Sequence, residues 1–160
     1  MAEREDTNGL VIAFFETPAE AGDAADSLVE EAGGAGEELH VGILALGDTG
    51  LADVMEVGTG GADHPEGVGT VLKVIASLVR GGVVPARHHF LDDDSGITRD
   101  DISRIGAELE ADHAAVAVLE RRPRADSAVV RLTRLGGKTE IHWLSPAALR
   151  RAAATPPVAS

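Results

Sequence analysis

The stretch that decides the fold is Gly9–Glu16, GLVIAFFE, with six apolar residues in a row from Leu10 to Phe15. Successive side chains of a strand point to opposite faces. Leu10, Ile12 and Phe14 therefore go one way, and Val11, Ala13 and Phe15 the other. Both sets are apolar. Such a strand needs cover on each side, which makes it a central strand of a sheet. Two later stretches share the property. Leu39–Leu46 sets Val41, Ile43 and Ala45 against Leu44 and Leu46, and Ala114–Leu119 (AAVAVL) is apolar throughout and reads as a second central strand.

The segments around these strands carry their own punctuation. Thr17-Pro18-Ala19-Glu20 opens a helix: Thr17 caps it, Pro18 suits its first position and Glu20 completes a capping box. Ala21, Ala24, Ala25, Leu28, Val29 and Ala32 then form one apolar stripe, and Gly33-Gly34 ends it. Glu20, Asp23, Asp26, Glu30 and Glu31 form a solvated acidic face. Gly47–Gly50 is turn chemistry, so Leu51–Val57 returns as the second arm of an antiparallel hairpin. Val68–Val79 reads as an apolar-rich helix stopped by Gly81-Gly82, and Thr98 with Asp101 opens another that carries Ile102, Ile105 and Leu109. Beyond Pro123, Ala125, Ala128, Val129, Leu132 and Leu135 fit a helical stripe closed by Gly136-Gly137, with Arg131 and Arg134 where the helix dipole favours cations. Lys138–Leu144 is the last strand; a β-hairpin turning at the two glycines is the competing reading of 125–144. The expected architecture is α+β: a ferredoxin-like βαββαβ sandwich with an additional C-terminal helix and strand, one domain over residues 9–145 between a flexible arm (1–8) and a tail (146–160).

A chain of 160 residues is long enough to bury roughly 70% of its unfolded surface without staples. It has no cysteine, so disulfides and thiolate metal sites are excluded, and no signal-type opening is read in Met1–Thr7; a cytoplasmic location is expected. A net charge of −13 argues against nucleic acid and against anionic lipid surfaces. Lys73 and Arg80 interrupt the Val68–Val79 helix, which is too short to cross a bilayer.

Catalytic and cofactor signatures are weak. In Gly58–Gly69, GTGGADHPEGVG, Asp63 stands where a dinucleotide loop needs its third glycine, and no Gly-Lys-Ser/Thr follows. Asp92-Asp93-Asp94-Ser95-Gly96 misses the register of a calcium loop and lacks its closing Glu. No Gly-x-Ser-x-Gly elbow exists. His40, His88 and His89 are the candidates for a metal or ligand site, but adjacent histidines on an extended segment point apart and no helix-spaced metal motif accompanies them. No cofactor is expected, and whether the chain is an enzyme stays open, with the balance against it.

Three stretches also resemble the bacterial domain of unknown function 1269 family, whose members are described as predicted membrane-associated proteins: VIAFF with the AEAGDAADSL helix, the run GITRDDISRIGAELEADHAAVAVLE, and the closing RLGGKTEIHWL. The resemblance implies a ferredoxin-like fold and names no chemistry. The small-residue hairpin of that family is replaced here by the glycine-rich connection and the Val68–Arg80 helix.

A ferredoxin-like sheet has helices on one face only. The apolar residues of the other face must then meet the extra helices, a second subunit or a small apolar ligand. A symmetric homodimer, made sheet to sheet or through the Val68–Val79 helix, is expected, with Val11, Phe15, Leu44, Leu46, Val71, Ile75 and Leu119 as its interface set. The expected role is a non-enzymatic, self-associating module, stress-related or scaffold in kind. The alternatives are a small-ligand or metal-binding protein or enzyme of the dimeric α+β barrel type, and a peripheral membrane protein attached through Val68–Val84.

Overall fold

The computed structural model describes residues 8–34, 40–46, 52–58, 72, 75, 99–110, 114–121 and 124–145. In chain order these give β1 (Asn8–Phe15), α1 (Pro18–Gly34), β2 (His40–Leu46), β3 (Ala52–Gly58), α2 (Arg99–Glu110), β4 (Ala114–Arg121), α3 (Arg124–Arg134) and β5 (Lys138–Leu144). The fold is α+β. Its five strands make one antiparallel sheet in the order β3-β2-β4-β1-β5. The three strands whose sequences are apolar on both faces, β1, β2 and β4, are the three interior strands. Residues 124–144 form a helix and a strand, not a hairpin, and β5 pairs with β1.

Directly paired residues in an antiparallel ladder share a face, so the register sorts the core into two layers. On one side Val11, Ala13 and Phe15 meet Val118, Val116 and Ala114, with Val41 of β2 beyond them. Ala21, Ala24, Ala25 and Leu28 of α1 and Ala125, Ala128 and Leu132 of α3 close this layer. On the other side Leu10, Ile12 and Phe14 meet Leu119, Ala117 and Ala115, and Leu44 also pairs with Ala115. Helix α2 covers this second layer. It packs on β2 and β4, and its Ile102, Ile105 and Leu109 are all buried.

Of the covers expected for the second sheet face, the chain's own helix is the one observed. Val11, Phe15, Leu44 and Ile75 are each no more than 4% exposed within the single chain, and Leu119 is partly buried. The physical reason is α2, which takes the side of the sheet opposite α1 and α3. Leu72 and Ile75 are also fully buried. Leu46 belongs to β2 but its side chain, like the whole of Val71, lies outside the described residues.

The α3–β5 turn has a specific cause. The N–H of Gly137 donates to the Leu132 carbonyl at 3.0 Å and that of Gly136 to the Thr133 carbonyl at 3.1 Å, a Schellman closure with Gly136 at φ +98°. At the other end of the same layer Gly9 permits a close approach. A Cβ there would lie 2.9 Å from each of Ala125 Cβ, Ile141 Cδ1 and Trp143 Cζ3, so the absent side chain is what lets α3 and β5 settle against β1.

Two stability measurements follow from this packing. Leu28→Ala, under α1, and Ile105→Ala, under α2, should each lower the unfolding free energy by about 2–5 kcal/mol in urea titrations. A loss under about 1 kcal/mol for Ile105→Ala alone would show that α2 does not seal the second layer. Gly9→Ala should cost about 1–3 kcal/mol through overpacking, and a neutral result would contradict the close approach of α3.

Candidate functional site

The most organised polar constellation joins α2 to the edge strand β5. Asp101 and Arg104 are three residues apart and share a helix face; Glu140 and His142 are two apart and share a strand face. Their register partners on β1 are Ile12 and Leu10 respectively, which puts Glu140 and His142 on the α2 side of the sheet. Arg104 bridges both elements. Its Nη2 donates to Asp101 Oδ1 at 3.0 Å and to Glu140 Oε2 at 2.9 Å, and its Nη1 bonds Glu140 Oε1. The Glu140 carboxylate is thus held by a two-pronged guanidinium grip, the geometry that gives arginine–carboxylate pairs their specificity. His142 Nε2 lies 2.5 Å from Glu140 Oε2, and its Nδ1 is 3.7 Å from Asp101 Oδ2. An ionised carboxylate only accepts, so Nε2 carries the proton of that bond.

The electrostatics follow from these contacts. Burial acts to raise the Glu140 carboxyl, but hydrogen bonds and charge from His142 and Arg104 outweigh it and hold the group at about 2, below an ordinary 4.5. The bond to Glu140, helped by Asp101, pushes the Arg104 guanidinium above its usual range against the opposing effect of burial. A carboxyl that titrates so low is ionised throughout the physiological range and is a poor proton donor or acceptor there. The cluster is built as a clasp. Lys138 of β5, 3.6 Å from Glu108 of α2, makes a second and more exposed tie between the same two elements.

A second feature lies on the opposite side of the sheet. A groove of about 430 Å³ runs between the first half of α1 and the α3–β5 turn, with Phe15, Ala24 and Leu135 as apolar wall and Glu16, Glu20 and Asp23 at its rim. Thr17 sets the rim by capping α1: its Oγ1 accepts the Glu20 N–H at 3.1 Å. The three rim carboxylates are exposed, as are Asp26, Glu30 and Glu31 further along the helix; Glu31 pairs with Arg131 of α3 at 3.5 Å.

Of the histidines singled out from sequence, His40 opens β2 with its side chain outside the described residues, and His88 and His89 lie outside them altogether. Among the described residues no group of three or more His, Asp or Glu side chains is arranged to hold a metal. Sequence reasoning missed the Asp101–Arg104–Glu140–His142 cluster. Its signal was the alternation on β5, with Lys138, Glu140 and His142 on one face against Thr139, Ile141 and Trp143 on the other.

The clasp sets a pH window. A carboxyl held below its unfolded value contributes stability that is complete above about 4.5 and is lost as pH falls toward 2. Arg104 is about half exposed, so screening limits the contribution to about 1 kcal/mol. Glu140→Gln should cost that much at pH 7 in denaturant titrations, and the gap from wild type should shrink between pH 4.5 and 2.5. A gap independent of pH would disprove the clasp. No protein-family model, no curated protein and no solved structure matches this chain.

Proposed function

We propose that the chain is a non-enzymatic α+β module on a ferredoxin-like frame, serving binding or assembly and not catalysis. Two split βαβ halves, β1–α1–β2 with β4 between its strands and β4–α3–β5 with β1 between its strands, support the frame. On this reading β3 and α2 are the additions, carried between the halves, while α3 and β5 belong to the frame itself. The likeness to the domain of unknown function 1269 family belongs to the same proposal. Its three stretches fall on β1 with α1, on α2 with β4, and on the turn into β5. The observation that carries the non-enzymatic reading is the clasp: its charged groups are engaged with one another, and its best-held carboxyl lies far from the pH range in which proton transfer is efficient.

Self-association stays within this proposal on a changed surface. With the sheet layers filled, a second copy would meet the sheet edges or the outer helix faces, where Met55 of β3 and Val130 of α3 are 63% and 49% exposed. Light scattering over a dilution series tests it. A mass of twice 16.5 kDa that falls on dilution is the expected result; a single-chain mass at every concentration would remove self-association from the function. A cytoplasmic setting goes with this reading. Attachment to membranes through Val68–Val84 has less support: Leu72 and Ile75 of that segment are buried, and among the described residues no helix is long and apolar enough to cross a membrane.

A small-ligand reading is favoured by the groove alone. Its volume lies within the range of small-molecule sites, and an apolar wall under three carboxylates suits an organic cation over an anion. Amide-resolved NMR titration with butylammonium, and with butyrate as control, should move α1 and α3–β5 turn resonances for the cation only. Equal shifts for both probes, or shifts spread over the whole acidic surface, would end that reading.

A further inference from the structure

No further inference is drawn: the strongest candidate, the acidic-rimmed groove between α1 and the α3–β5 turn, belongs to the site already described, and its rim of Glu16, Glu20 and Asp23 is a carboxylate cluster with no second observation to say what would fill it.

Discussion

The pairing of β1 with β4 is the constraint on which the structure depends. Eight residue pairs run from Asn8↔Arg121 to Phe15↔Ala114, and both strands are apolar on both faces. Once these two strands lie side by side, two greasy surfaces exist back to back, and each must be covered. Helices α1 and α3 take one, and α2 takes the other. The small side chains of β4, three alanines and two valines over Ala114–Val118, allow helices to sit close on either side of it. The rest of the sheet extends this centre outward, with β2 and β5 joining its flanks and β3 forming the far edge.

Much of this was legible in the sequence because burial on two faces leaves a strong mark. The continuous apolar runs at Leu10–Phe15 and Ala114–Leu119 identified interior strands, and the Thr17-Pro18 start and Gly136-Gly137 stop marked helix ends that the structure keeps. What could not be read was the side of the sheet each helix would choose. Ile102, Ile105 and Leu109 make the same stripe whichever layer they enter, and periodicity carries no information about handedness of packing. The choice between an added helix and a partner as cover for the second face lay in that gap.

The clasp was illegible for a related reason. Asp101 and Arg104 look like an ordinary exposed pair on a helix, and Glu140 with His142 looks like the solvated side of an edge strand. They become one unit only when the fold brings the Arg104 side chain of α2 to Glu140 of β5, residues 36 apart in sequence. Polar residues on an edge strand read as outward-facing by default; here side chains of a neighbouring helix reach them and make their charges mutual. The histidines that did draw notice, His40, His88 and His89, stood out by residue type and adjacency, which say nothing of what the fold brings near them.

The strand order has a consequence for how the protein comes into being. Residues 8–15 leave the ribosome well before their ladder partners at 114–121 and 138–144, so β1 must wait for those distant segments before its hydrogen bonds close. Loops of that length slow closure, and a nascent chain meanwhile displays an unsatisfied hydrophobic ribbon open to misassembly. The abundant acidic charge of the chain offers a means of keeping newly made copies apart until β4 and β5 arrive.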